Sequence, residues 1–286
     1  MSLTPIDSAF VADLREVAAS GEFGRVTRLT PSGLTIAAVV EIACLRSAFP
    51  TELRQTIETW QQDSPALSRA SVVYETGSFP DHEAMWQGRS LDFFPIRGPG
   101  WADAVQYHPF ESRFCNAARQ AGFGRKADAL TGALFEMADN VAQHSGDEPS
   151  SPAPGLIGYH VSEGNVSFAI ADLGRGVLNS LRANPVWADL RNSKSALMAV
   201  VEKHASRRVH GGEGEGFKEV FRSLMNLNGI VELRSGEGRV RLVCAPDGSR
   251  QAQPQFTGPF SGLQVAVSCS LTAPAKEVIF SVDYLT

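Results

Sequence analysis

Glu136-Met137-Ala138-Asp139-Asn140-Val141-Ala142-Gln143-His144 is the stretch whose reading decides the fold. The spacing predicts a helix over Lys126–His144. On a wheel of about 100° per residue, Leu130, Leu134, Met137, Ala138 and Val141 share one apolar side. Glu136, Asn140 and His144 follow a neighbouring stripe, each one turn from the next, with Asp139 and Gln143 beside them. A carboxylate, an amide and an imidazole thus line the edge of a buried face. A carboxylate can accept a proton, an amide oxygen can ligate a hard cation, and an imidazole can meet a phosphate. The same row also reads as a solvated face with a satisfied histidine.

Downstream, Leu156–Val161 and Val166–Ala171 read as two strands joined by a turn at Glu163-Gly164-Asn165. In the second, Val166, Phe168 and Ile170 alternate with Ser167, Ala169 and Ala171. That strand runs into Asp172-Leu173-Gly174-Arg175-Gly176, an aspartate at a strand end followed by glycines that let backbone approach a ligand. A variable segment, 177–210, holds a helical piece at Ser195–His204 and a basic cluster of Lys203, His204, Arg207, Arg208 and His210. Gly211-Gly212-Glu213-Gly214-Glu215-Gly216 then leads into an amphipathic helix with Phe217, Val220, Phe221 and Leu224. Glycines at a helix N-terminus suit a phosphate. No GxxxxGK[ST] loop is present. Residues 206–210 are too basic and polar for the strand that a dinucleotide-binding loop needs. Val231–Arg234 and Val240–Cys244 read as a hairpin across Gly236-Glu237-Gly238. After a Pro-, Gly- and Gln-rich loop, Leu263, Val265, Val267 and Cys269 mark a last core strand. Val278–Tyr284 reads as one more strand or a partner-binding edge.

Upstream, residues 1–20 read as a helix, Val26–Leu29 as a short strand and Thr30-Pro31-Ser32-Gly33 as a turn. Leu34–Phe49 is apolar nearly all round and reads as a buried helix. Glu52–Gln62 is a further helix, and Val72-Val73-Tyr74 and Leu91–Ile96 read as short strands. Gly98-Pro99-Gly100 marks a soft boundary. This first part holds no catalytic constellation.

The 286 residues, 43% hydrophobic and 20% charged, suffice for one large core or two domains. A net charge of -5 argues against nucleic acid as the main partner. No apolar run approaches the ~20 residues of a membrane span, so no membrane partner is expected. MSLTPIDSAF lacks the pattern of a secretory signal. The scattered cysteines Cys44, Cys115, Cys244 and Cys269 form no CxxC pair. They read as free thiols in a reducing cytoplasm rather than zinc ligands.

Taken in order, the motifs are a helix with Glu-x3-Asn-x3-His, a hairpin, a strand-end Asp-x-Gly-x-Gly, a basic lid, a glycine run, a helix, a hairpin, and a strand after Ser261-Gly262-Leu263. Over residues 108–271 this order resembles the GHKL ATPase superfamily of gyrase, heat-shock chaperones, mismatch-repair ATPases, sensor histidine kinases and anti-sigma-factor serine kinases. It is nearest to bacterial stand-alone regulatory ATP-binding proteins of the histidine-kinase-like or anti-sigma-factor-kinase type. The resemblance implies an α+β fold, a Bergerat-type two-layer sandwich of helices on a mixed, mostly antiparallel sheet. The divisions are 1–105, a smaller α/β regulatory domain; 106–272, the ATP-binding domain; and 273–286, a tail. The strand, Pro-Ser-Gly turn and apolar helix of residues 26–49 resemble STAS-like modules.

By the same resemblance, Glu136 is the catalytic carboxylate, Asn140 the magnesium ligand and His144 a neighbour of the phosphates. Asp172 accepts a hydrogen bond from the adenine amino group, and Gly174 and Gly176 give the backbone room. Lys203, Arg207 and Arg208 become lid contacts to the γ-phosphate, and Gly212, Gly214 and Gly216 the phosphate-side loop. The cofactors implied are ATP and Mg2+. The function implied is that of a cytoplasmic regulatory kinase or ATPase in bacterial signalling, acting on water or on a hydroxyl of a partner protein. The other reading is a non-catalytic, nucleotide-responsive interaction module. The N-terminal half or the tail would serve a homodimer. Two features depart from the family: the glycine box runs into Gly-Phe rather than Leu-Gly, and Glu213 and Glu215 place negative charge beside the expected phosphates. No Ser-His-Glu-Leu-Arg dimerisation helix precedes the domain, so a self-contained sensor kinase is not expected.

Overall fold

The computed structural model describes residues 2–78, 90–97, 100–103, 105–146, 153–205, 220–224, 226–245, 249–272, 275 and 278–280. The chain opens with a strand, β1 (Ser2–Ile6), where the sequence suggested helix from the start. Asp7 then caps α1 (Ser8–Ser20) by accepting from Phe10 N at 2.9 Å. Residues 23–28 form a 3-10 turn rather than a strand, and β2 (Leu29–Thr35) follows, parallel to β1. β2 includes Thr30-Pro31-Ser32-Gly33, read from sequence as a turn. The ladder admits its proline, which lacks an N–H, beside a register shift between Thr4 and Pro5. Thr35 caps α2 (Ile36–Leu45), all ten of whose residues are buried. α3 (Thr51–Asp63) and α4 (Pro65–Thr76) follow. Val72-Val73-Tyr74 belongs to α4 and is not a strand. Ser64 caps that helix, Pro65 stands in its first turn, and Leu67, Ala70 and Val73 bury one face. Cap chemistry and helical period outweigh the β-preference of two valines.

The main sheet has five antiparallel strands in the order β3 (Leu91–Ile96), β4 (Gly155–Ser162), β5 (Asn165–Asp172), β7 (Arg250–Ser270) and β6 (Ile230–Cys244). α5 (Tyr107–Ala118), α6 (Lys126–His144), α7 (Gly176–Arg182) and α8 (Ser193–Lys203) share one core with it. The alternation in β5 decides what lies on each face. Val166, Phe168 and Ile170 enter the core with α5 and α6, while Ala169 and Ala171 face α2. A Cβ on Gly158 would stand 2.8 Å from Val40 Cγ2 of α2. A floor of small residues therefore lets α2 sit close on the sheet.

Helices thus cover both faces, α5 to α8 on one and, from residues before 106, α2 and α4 on the other. The sheet also runs across the expected divisions. β3, before residue 105, pairs with β4, and β8 (Ile279–Phe280), in the tail, pairs with β2. The architecture is α+β.

β6 is one strand of 15 residues, not the two arms of a hairpin, and β7, with 21 residues, takes in the stretch read as a loop. Gly236 and Gly238 mark register shifts within β6, and Gly236 has φ 53°. A straight strand would put Arg239 roughly 24 Å from Glu232. The two side chains instead pair at 2.5 Å, so β6 turns sharply at the shifts. That turn aims Glu237 at α8, where its carboxylate accepts from Ser193 N at 3.1 Å and Ser193 Oγ at 3.2 Å. The glycines read as a turn are therefore close-approach positions: a Cβ on Gly238 would lie 2.6 Å from Lys194 N.

Buried ions join the layers. Asp92 on β3 receives Arg69 of α4 at 3.0 Å and Arg113 of α5 at 2.7 Å, one from each face. Across the sheet, Glu41 of α2 receives Arg15 of α1 at 3.1 Å and Arg234 of β6 at 2.8 Å. All three are buried. Burial pushes the Glu41 carboxyl up, and Arg234 and Arg15 pull it back. Burial lowers Arg15 to about 10, which leaves it charged at neutral pH.

Candidate functional site

α6 spans Lys126–His144, as the periodicity predicts. Met137, Ala138 and Val141 are buried, and Glu136, Asp139, Asn140 and His144 form a half-buried stripe beside them. Asn140 Nδ2 donates to the Glu136 main-chain oxygen at 2.7 Å. That bond fixes the amide and turns Oδ1 away from the helix backbone. Gln143 donates to Asp139 on the next turn.

The C-terminal end of α6 meets the end of β5. Ser145 oxygen accepts from Arg175 N at 2.9 Å. Asp172, the last residue of β5, is 1% exposed. Its Oδ1 accepts from Gly174 N at 2.7 Å and its Oδ2 from Leu263 N at 3.3 Å. Each oxygen keeps further acceptor capacity. Burial raises the carboxyl to about 7, against the pull of those two N–H groups.

Three backbones converge here more closely than side chains permit. A Cβ on Gly174 would overlap the Ser145 carbonyl oxygen, and one on Gly262 would overlap that of Asp172. Gly176 opens α7 at φ 72°, where a Cβ would lie 2.8 Å from Ser235 Oγ. Ser235 Oγ accepts from Val177 N at 2.9 Å and donates to Gly262 O at 2.6 Å, tying β6 and β7 to the start of α7.

Of the residues singled out from sequence, Asp172, Gly174 and Gly176 sit together, joined to the α6 end next to His144. Asn140 and Glu136 stand one and two turns back along the same stripe. Lys203 ends α8 with its ammonium 6.0 Å over the Trp187 ring, in a groove with Leu190, Met198 and Pro254. Arg207, Arg208, Gly212, Gly214 and Gly216 lie outside the described residues, as do His210, Glu213 and Glu215. Beyond them, Val220, Phe221 and Leu224 are helical and buried, as the amphipathic pattern predicts. Sequence reading did not assign Ser145, Ser235 or Gly262. Gly262 carried a signal in Ser261-Gly262-Leu263; Ser235 was hidden in the expected hairpin turn.

Glu136 and Asn140 offer oxygen ligands suited to a hard cation. Among the described residues no group of three or more His, Cys, Asp or Glu side chains could hold a metal. Magnesium suits such a site, because it takes one or two protein ligands and fills its shell with phosphate oxygens and water.

Asp172 and His160 make opposite pH signatures. His160 on β4 is 3% exposed, and burial lowers its pKa to about 4. Its stabilising contribution is complete above the unfolded value near 6.5 and is lost as pH falls through 4, about 3 kcal/mol in all. Asp172 contributes most below its unfolded value of 3.8 and loses about 4 kcal/mol as pH rises through 7. The slopes nearly cancel between pH 4 and 6.5 in the native chain. Urea unfolding of His160→Gln should unmask a stability that falls with pH, and Asp172→Asn one that rises. Parallel profiles in the two variants would refute the assignment.

Compared with protein-family models and with curated proteins, the chain matches none.

Proposed function

We propose that the chain binds Mg-ATP at the Asp172 site and acts as a regulatory ATPase or protein kinase. The observation that carries this reading is the junction of α6 with the end of β5. It places one row of Glu136, Asn140 and His144 beside a buried carboxylate held by two backbone N–H groups. A fixed acceptor on the floor recognises an exocyclic amine, and an adjoining stripe of oxygens accommodates a metal-bound polyphosphate.

Asp172 receives the amino edge of the base, and the close packing of Gly174 on the Ser145 carbonyl and of Gly262 on the Asp172 carbonyl holds that carboxylate in place. Asn140 Oδ1 would hold the magnesium ion, and His144 lies toward the phosphate side. Bound Mg-ATP supplies the transferable phosphoryl group. Glu136 takes the proton from the attacking water or hydroxyl. In Gly-Glu-Gly-Glu-Gly, the charges of Glu213 and Glu215 favour a second reading, binding without turnover, in which the nucleotide only orders a partner-binding surface.

Calorimetric titration of Mg-ATP tests the site. Asp172→Asn should weaken binding about 30- to 100-fold, the worth of a charged hydrogen bond made by a group that cannot turn away. Equal affinity in the variant and the native chain would sink the proposal. Glu136→Ala then separates the readings: an enzyme loses ADP formation and keeps ATP affinity, whereas a binding module forms no ADP in either protein.

A further inference from the structure

The α2 face of the sheet, opposite α6, holds a separate cleft of about 80 Å³. Two arginines of β6, Arg239 and Arg241, line it with Glu232. Glu232 is engaged by Arg239, so the cluster carries one net positive charge. The Nε atoms of Arg239 and Arg241 are both buried with no hydrogen-bond partner among the described residues. A buried guanidinium N–H without an acceptor is costly.

Other polar groups of the lining point the same way. Ser167 and Ser268 hydroxyls lie 3.0 Å apart, and only one of them donates to the other, which leaves the second proton to turn into the cleft. Ile36 and Ala37 bring the positive end of α2 to it, and Ile230, Ala266 and Val278 add apolar wall. Donors and positive charge converge, and the single carboxylate is already paired. A ligand that only accepts hydrogen bonds and carries negative charge matches this lining, and the volume admits a headgroup but not a nucleotide.

We infer that this cleft binds a small tetrahedral oxyanion, either inorganic phosphate or the phosphate group of a phosphomonoester. The site is independent of Asp172, so it stands or falls separately from ATP binding. Arg241 is the discriminating residue, because Arg239 has Glu232 as a partner.

The test titrates inorganic phosphate and, separately, glycerol phosphate into the full chain, with sodium chloride holding ionic strength constant. Calorimetry gives the affinity. Arg241→Gln should weaken binding about tenfold, the loss of one charge-assisted contact, while Asp172→Asn leaves it unchanged. In native protein, 15N spectra of arginine Nε–H groups should show two resonances moving on addition of the anion, which keeps the test valid if Arg241→Gln does not fold. Binding of both ligands, or of either one, supports the site and tells free anion from ester. Binding of neither, equal affinity in Arg241→Gln, or unmoved Nε–H resonances would overturn it.

Discussion

Glu41→Ala should destabilise the protein by about 3–5 kcal/mol, read as the shift of the urea midpoint at pH 7. The substitution removes one carboxylate and leaves two guanidinium groups, Arg15 and Arg234, buried without their counter-ion. Desolvation of both is then uncompensated, and that penalty far exceeds the few methylenes lost. The stability of a domain is about 5–15 kcal/mol, so a large part of it rests on this one carboxylate. The decisive comparison is a triple variant, Arg15→Met, Glu41→Leu and Arg234→Met, which removes the charges together. It should recover most of the loss, because a packed apolar core can replace a buried ion cluster. A shift below about 1 kcal/mol for Glu41→Ala would mean that water reaches the cluster.

Gly262→Ala should be nearly as severe, at about 3 kcal/mol or more, because two penalties fall on one atom. The backbone there has φ 93°, outside the range that L side chains adopt, and the added Cβ would overlap the Asp172 carbonyl oxygen. Gly164→Ala isolates the first penalty. Gly164 has φ 67° with nothing within 4 Å of the added carbon, so it should lose only about 1 kcal/mol. Thermal unfolding of the pair gives the difference, and calorimetry should show Mg-ATP affinity lost with Gly262→Ala and kept with Gly164→Ala. Equal melting temperatures would show that β7 yields at Gly262 and that the convergence on Asp172 is soft.

The helices with a strong stripe were legible from sequence. α6 needed only its period, and α2 only a surface that is apolar nearly all round. β5 was legible from alternation, including which residues are small, although nothing local said that the small face receives α2. Failures came where one residue type serves two geometries. Gly236 and Gly238 suit a hairpin turn and also suit a bulge beneath α8, and only Ser193 and Lys194, more than forty residues earlier, decide between them. Pro31 suggests a turn until β1 and its register shift accommodate it. At the site, Asp172 and the row on α6 could be read because side chains with chemistry stand at regular spacing. Ser145 acts through its main-chain oxygen, which every residue has, and so leaves almost no trace in sequence, whereas Gly262 shows only as the glycine of Ser261-Gly262-Leu263.

The sheet that α2 rests on is assembled from distant parts of the chain, and this governs the order of folding. α2 is complete by residue 45, but Arg234 and Gln264, which bind Glu41 and the Ala37 carbonyl, are synthesised some two hundred residues later. β2 waits longer still, since Leu34 pairs with Phe280. During synthesis a helix that is apolar except for Glu41 therefore emerges well before its floor. Contacts of such long sequence separation slow the final step and lengthen the time that apolar surface stays exposed. The nascent N-terminal segment is the natural client for a chaperone, and a chain stopped before β6 would present α2 without its seat.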